Sequence, residues 1–267
     1  MIKLIKSFIP PILFEILKKI INKKYGWKGN YSTWVEATND STGYNTDKIF
    51  EAVKVSSLKV KNGEAVCERD SVIFDHIQYS WPLLAGLMYV AAKSEQVKVC
   101  DFGGSLGSTY YQNKKFLDEF NNVSWSIVEQ KHFVDFGKKE FEDHKLKFYS
   151  TIDECIEKEK PNLLLLSSVL QYIEEPYKFI EKILENDFKY IIIDRTPFSK
   201  LDEIIKLQIV PPFIYEASYP CWFFNEKIFI KYFETIGYRI LEKFDALDDK
   251  SDEFYFKGFI LKKNEKI

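Results

Sequence analysis

Two acids that close consecutive apolar runs carry the strongest chemical signal in this sequence. Asp101 sits near the end of VKVCDF (residues 97–102) and is followed at once by Gly103-Gly104-Ser105-Leu106-Gly107. Glu129 closes WSIVE (residues 125–129), 22 positions after Gly107, with Gln130 beside it. An apolar run that passes through an acid into glycines reads as a strand entering a tight loop where backbone approaches a ligand. In open α/β sheets ligands lie outside the carboxyl ends of the strands, so this loop is the expected site. A phosphate loop needs G-x-x-x-x-G-K-[ST], and no lysine follows Gly107 in that register. The offsets of Gly103, Gly104 and Gly107 also depart from G-x-G-x-x-G, and Asp101 would repel a pyrophosphate. A carboxylate is welcome instead beside an ammonium and a sulfonium, and an acid placed like Glu129 can accept from both hydroxyls of a ribose. The pair points to S-adenosylmethionine.

Methyl transfer from a sulfonium is an in-line displacement, so the protein supplies mainly position and desolvation, plus a general base for a hydroxyl acceptor. His76, in DHIQYSW (residues 75–81), is the first candidate base, on the expectation that this segment folds over the strand ends as a lid. His132, beside Glu129, is expected to border the cofactor, and His144, in EDHKLK, to be solvated. Asp194-Arg195 follows the apolar run YIII (residues 190–193), and arginine is scarce: Arg69, Arg195 and Arg239 are the only three among 38 basic residues. An arginine at the sheet's carboxyl edge can hold a phosphate or carboxylate bidentately, and the alternative is an ion pair with Asp194 or Glu216. The block YEASYPCWFF (residues 215–224) offers aromatic faces for a sugar ring or nucleobase, although a plain hydrophobic wall has the same composition.

The elements that must position these groups alternate. Strands are expected at about 97–102, 125–129, 146–149, 163–167 and 190–194, with helices at about 110–120, 132–143, 152–159 and 174–186 between and after them. LLLLS (residues 163–167) is apolar throughout, as strands buried on both faces of a parallel sheet are. The alternation predicts a doubly wound, Rossmann-like α/β domain. A helix at 225–236 and strands at 238–244 and 254–262 are expected to close it with an antiparallel pair. Residues 83–93 read as a further helix and residues 26–66 as a loop-rich segment with a short helix near Asp47. Residues 1–66 are divided from a domain spanning 67–267, in which the Pro- and aromatic-rich insertion 197–224 covers one end of the sheet on the substrate side.

Bulk composition excludes several classes. A formal charge of −2 calls for no nucleic-acid partner. Four widely spaced cysteines, Cys67, Cys100, Cys155 and Cys221, form neither a zinc motif nor a disulfide scaffold, so no metal is expected and a reducing, cytoplasmic setting fits best. At the N-terminus, Pro10-Pro11 interrupts any signal-peptide core, and the apolar run is too lysine-broken to span a bilayer. Residues 11–24 read as an amphipathic helix ending in lysines. Two destinations stay open for it: packing on its own domain or on a second copy in a homodimer, or lying in the plane of an anionic membrane face.

Taken together, these blocks resemble class I S-adenosylmethionine-dependent methyltransferases. More narrowly, VCDFGGSLG, WSIVEQ, LLLLSSVLQYIEEP, YIIIDRTPF and YEASYPCWFF resemble, in order, a family of methyltransferases found among capsule and lipopolysaccharide biosynthesis proteins. The resemblance spans roughly residues 70 to 262 and departs at Ser105, where a glycine is usual. It implies that Asp101, Gly103, Gly104 and Gly107 line the methionine end of the cofactor and that Glu129 and Gln130 serve the ribose. Tyr149 and Ser150 would border the adenine, and Ser167 and Ser168 would lie under the cofactor. Gln171 and Tyr172 occupy the place where many small-molecule methyltransferases put histidine pairs, which leaves the base unassigned. The implied reaction is O-methylation of a sugar or of a phosphate- or phosphoramidate-bearing precursor of a cell-surface, capsular polysaccharide. Two rivals are a nicotinamide-dependent oxidoreductase or epimerase, disfavoured by the glycine offsets and the lack of a Tyr-x-x-x-Lys pair, and a non-catalytic binding domain of the same fold.

Overall fold

The computed structural model describes residues 24–43, 46–120, 122–248 and 250–265, so all but Lys24 of the amphipathic segment expected at 11–24 lies outside the described residues. The chain opens with strand β1 (Gly26–Tyr31), helix α1 (Trp34–Asn39) and helix α2 (Thr46–Lys61), then a small hairpin of β2 (Cys67–Arg69) and β3 (Val72–Phe74). Helix α3 (Trp81–Ser94) leads into β4 (Val97–Phe102), α4 (Ser108–Leu117), β5 (Val123–Val128), α5 (Lys131–Glu140), β6 (Leu146–Tyr149), α6 (Ile152–Glu159) and β7 (Leu163–Ser167). A 3₁₀ turn (Leu170–Tyr172), α7 (Pro176–Leu184), β8 (Tyr190–Ser199), β9 (Ile204–Val210) and β10 (Ala217–Asn225) follow, and α8 (Glu226–Thr235), β11 (Tyr238–Asp245) and β12 (Phe254–Lys263) complete the fold.

The main sheet has the order β1-β9-β10-β8-β7-β4-β5-β6, with β12 also paired to β8 and β11 to β12. Strands β4 to β8 run parallel to their neighbours, and β12 is antiparallel to β8 and β11. The chain leaves β4 toward β5 and β6, then returns to β7 on the other side. The direction of winding therefore reverses between β4 and β7, and a crevice opens at their carboxyl ends.

Alternate strand residues sort into two cores. Leu163, Leu165, Val99 and Ile192 face one layer with Leu83, Leu87, Tyr110 and Phe133 from α3, α4 and α5. Leu164, Leu166, Cys100 and Ile193 face the other with Cys155, Ile180 and Phe229 from α6, α7 and α8. Burial on both faces explains why these strands are uniformly apolar. Each such leucine contributes about 1.5–3 kcal/mol.

Three features differ from the sequence reading. The short helix expected near Asp47 is the 16-residue α2. Residues 26–31, expected as loop, pair with β9 and so join the main sheet. Strand β8 does not stop at Asp194. It passes a bulge, where Asp194 and Arg195 together oppose Gly258, and runs on to Ser199. Arg195 takes the left-handed region at φ +53°, as the extra residue of a bulge can. The extension pairs with β10 at Phe198 and Asn225's neighbour Phe224, so β10, β9 and β1 rise as an antiparallel flap past the end of β7.

Gly258 makes the bulge fit: a Cβ there would lie 2.1 Å from Phe244 Cζ and 2.7 Å from the Ile193 carbonyl oxygen. Gly258→Ala should therefore cost about 1–3 kcal/mol, read as a lower midpoint in urea unfolding. An unchanged midpoint would show that the bulge relaxes freely.

Candidate functional site

At the switch point the strand ends open into a cleft of about 1070 Å³. Asp101, Gly103, Gly104, Glu129, Gln130, Ser150, Ser167 and Ser168 line it, as do Tyr172, Asp194 and Arg195. Gly107, Tyr149, Gln171 and His76 are not among its lining residues.

The glycine loop closes tightly over Asp101. That carboxylate is 1% exposed, accepts a 2.9 Å hydrogen bond from Trp125 Nε1, and lies directly beneath Gly104, where a Cβ would come within 2.5 Å of it. Burial, reinforced by the charge of Glu129, pushes the Asp101 carboxyl up to about 7. Gly103 is left-handed at φ +72°, and a Cβ on it would meet Val169 Cγ2 at 2.7 Å. Ser105, where the resemblance departs from glycine, also adopts a left-handed φ of +56°. The loop thus keeps a glycine-like path through Ser105, at a cost of about 1 kcal/mol. Gly107 forms the N-cap of α4 and does not face the cleft.

Glu129 stands half-buried at the end of β5, where it accepts from its neighbour Gln130 N at 2.6 Å. Burial raises its carboxyl, while hydrogen bonds from the Gln130 and Ser105 backbones pull it down. The Ser105 contact ties the second acid to the glycine loop. Ser150 reaches the cleft, but Tyr149 does not: its hydroxyl donates to Glu159 on α6, on the outer side of the sheet. Ser168, left-handed at φ +55°, donates its backbone N–H to the Asp194 carbonyl at 3.0 Å. Gln171 is buried behind the wall, donating from Nε2 to Ser168 Oγ and the Arg195 carbonyl at 3.1 and 3.3 Å. These two bonds hold the ends of β7 and β8 together, while its Oε1 is buried without a partner.

On the other side of the cleft, the Tyr172 hydroxyl donates to Gln208 Oε1 at 2.7 Å, and the Tyr215 and Tyr219 hydroxyls stand 3.3 Å apart. Asp194, 2% exposed, accepts from the Arg195 backbone at 2.9 Å and from the Ser80 hydroxyl. Burial pushes its carboxyl up to about 6, against the pull of Arg195.

Two candidates stand elsewhere than the sequence reading placed them. His76 is 62% exposed with its Nδ1 2.7 Å from its neighbour Asp75, and residues 75–79 are not among those lining the cleft. Ser80, at the end of that segment, is what reaches the site. Arg195 carries neither Asp194 nor Glu216 on its guanidinium. It is clamped by Asp248, from Nε at 2.9 Å and Nη2 at 2.9 Å, and by Asp70, from Nη2 at 2.6 Å. An arginine holding two carboxylates is not free for an acceptor anion.

The clamp reaches across the fold, because Asp70 belongs to the β2–β3 turn and Asp248 to the β11–β12 loop. Arg195→Ala would strand both carboxylates, and with Asp70 58% exposed the expected loss is about 2–3 kcal/mol, below that of a fully buried pair. The guanidinium holds the Asp70 carboxyl below its usual 3.8, so its contribution is present above that pH and lost as pH falls further. The stability gap between wild type and variant should persist from neutral pH to about 4 and close below it, in urea midpoints measured across pH. A gap that does not change with pH contradicts the clamp.

Glu68, Arg69 and Asp70 were not singled out as site residues in the sequence, yet all three line the cleft from the β2–β3 hairpin. Asp70 and Ser71, at φ +51° and +66°, make the two-residue turn that presents them. Glu68 is 5% exposed, accepts from the Ser108 hydroxyl at the start of α4, and is pushed up by burial to about 7. The scarcity of arginine was the available signal: two of the chain's three line this one cleft. Among the described residues no cluster of His, Cys, Asp and Glu is arranged to hold a metal, and no helix is long and apolar enough to cross a membrane.

The sequence matches no protein-family model and no curated protein. Solved structures do resemble the fold. An S-adenosylmethionine-dependent methyltransferase from Clostridium acetobutylicum has 11% identity and a TM-score of 0.44, over 68% of this chain and 90% of that one. Magnesium protoporphyrin IX methyltransferase from Synechocystis, solved with bound S-adenosylmethionine, has 12% identity and a TM-score of 0.45, over 69% and 79%. A 1,6-didemethyltoxoflavin N1-methyltransferase from Burkholderia thailandensis, solved with its substrate and S-adenosylhomocysteine, has 12% identity and a TM-score of 0.45, over 84% and 93%. Likeness at this level carries neither ligand nor reaction across.

Proposed function

We propose that this chain is an S-adenosylmethionine-dependent methyltransferase acting on a small-molecule acceptor. The observation that carries the reading is the joint placement of Asp101 and Glu129 at neighbouring strand ends, bridged by a loop in which Gly103 and Gly104 tolerate no side chain. Those residues fit the cofactor. Glu129 suits the ribose hydroxyls, the buried Asp101 suits a cationic methionine portion, and Ser150, Ser167 and Ser168 offer small polar walls. The cofactor would supply an electrophilic methyl group.

The rest of the cleft suits an acceptor. Tyr172, Tyr215 and Tyr219 give it aromatic faces and hydroxyls, which supports a sugar or sugar-phosphate, as the sequence resemblance to polysaccharide biosynthesis implies. The flap formed by β1, β9 and β10 is its proposed substrate-side cover. With no histidine among the lining residues described, Asp194 is the proposed general base, ionised above about pH 6 and oriented by Ser80. Tyr172, whose phenol is held well above its ordinary 10 by burial, stays protonated with its proton on Gln208, which leaves its oxygen to accept from a hydroxyl of the acceptor.

Incubation with methyl-labelled S-adenosylmethionine and panels of sugars, sugar phosphates and nucleotide sugars tests the acceptor class. Label in a sugar-bearing product supports it, and label confined to non-sugar acceptors overturns it. Hydride transfer from a nicotinamide cofactor in the same panels would establish the oxidoreductase alternative.

A further inference from the structure

The residues lining the cleft include six acids, Glu68, Asp70, Asp101, Glu129, Asp194 and Asp248, and two cations, Arg69 and Arg195, with no lysine among those described. Arg195 is spent on Asp70 and Asp248. Arg69 is different. Its side chain makes no hydrogen bond and no ion pair among the described residues, and its Nη1 is shut off from solvent with no partner. Its guanidinium lies 5.3 Å from the ring centre of Phe74, its hairpin neighbour. Asp70, the adjacent acid, acts on it through space but is engaged by Arg195. A guanidinium resting near a ring, with N–H groups that no carboxylate has taken, can hold a carboxylate or phosphate bidentately. A buried, unpartnered N–H on a cation is costly until a ligand atom meets it.

We propose that Arg69 is the anion-binding group of this cleft, taking a carboxylate or phosphate oxygen pair of the bound ligand. The lining explains the need: an anionic group entering among six acids requires a cation, and of the two lining cations Arg69 is the one without a carboxylate in ion-pair reach among the described residues. Which ligand carries the anion rests on the reading above. It is either the carboxylate of the cofactor's methionine or an acidic group on the acceptor.

The test is calorimetric titration of wild type, Arg69→Gln and Arg69→Lys with S-adenosylhomocysteine, with 5′-methylthioadenosine, which lacks the amino-acid carboxylate, and with inorganic pyrophosphate in the presence of saturating 5′-methylthioadenosine. A 10- to 100-fold loss of S-adenosylhomocysteine affinity in Arg69→Gln, partly restored in Arg69→Lys, with 5′-methylthioadenosine unaffected, assigns the cofactor carboxylate. Unchanged affinity for both nucleosides with loss of pyrophosphate binding assigns the acceptor's anion. If Arg69→Gln binds all three probes as wild type does, the proposal is wrong. Failure of wild type to bind either nucleoside would instead remove the methyltransferase reading and leave titration of wild type and Arg69→Gln with pyrophosphate alone to judge Arg69, equal affinity in the two then overturning the proposal.

Discussion

Glu129→Ala should lose affinity for S-adenosylhomocysteine by about 100-fold or more while the protein stays folded. Two charge-assisted hydrogen bonds from ribose hydroxyls contribute about 1.5–3 kcal/mol each, and their joint loss is worth at least two decades in affinity. The fold should tolerate the change, because Glu129 is half-buried at the end of β5 and its recorded partners are two backbone N–H groups on the loop side. Removing a carboxyl that burial already raises relieves a desolvated charge, so the melting temperature should shift by no more than a few degrees. Calorimetry gives the affinity and circular dichroism the melt. Retained affinity in a folded variant would remove Glu129 from the cofactor site.

The second large effect concerns stability and pH. Asp101→Asn should stabilise the unliganded protein above neutral pH and weaken binding of S-adenosylmethionine more than that of S-adenosylhomocysteine. The folded-state carboxyl sits at about 7 against an ordinary 3.8, so the folded protein binds this proton more tightly than the unfolded chain. Stability is therefore favoured at low pH and falls as pH rises from about 4 to about 7, where the buried group is forced to ionise. A shift of this size corresponds to on the order of 2–4 kcal/mol once fully developed. The asparagine keeps an acceptor for Trp125 Nε1 and carries no proton to lose, so the gap in favour of the variant should open across that window and level off above it. Glu68, raised to about 7, and Asp194, raised to about 6, add to the same slope in wild type. A cationic sulfonium offsets the charge that the fold leaves uncompensated, which is why the charged cofactor should suffer more than its neutral-sulfur product. Urea unfolding from pH 4 to 9 with both proteins checks the first part, and calorimetry with both ligands the second. A variant less stable than wild type at pH 8 would show that Asp101 serves packing rather than a ligand.

The parallel half of the sheet was legible because β4, β5, β7 and β8 are buried on both faces and announce themselves as apolar runs. Asp101 and Glu129 were legible for a related reason, since a charge breaking such a run marks its carboxyl end. The flap was not. β1 is GWKGNY, two glycines in six residues, and it is a strand because β9 offers it a ladder far away along the chain, as in Gly26 opposite Ile209. The β2–β3 hairpin is too short, at three residues a strand, for periodicity to register, so Glu68, Arg69 and Asp70 arrive in the cleft without warning. Arg195 was found in sequence by its rarity, but its clamp partners lie 125 and 53 positions away, a distance over which no local pattern speaks. His76 stands apart from the cleft for the opposite reason. Its residue type suggested chemistry, while its position beside Asp75 on an exposed turn gave it a partner outside the cleft.

The most direct test of the cleft's proposed ligand is a pair of calorimetric titrations on the wild-type protein, one with S-adenosylhomocysteine and one with NAD. Glycines that fold over a buried acid, and a second acid one strand away, predict micromolar binding of the first and none of the second. Binding of NAD without S-adenosylhomocysteine would contradict that account and turn the same loop over to a dinucleotide.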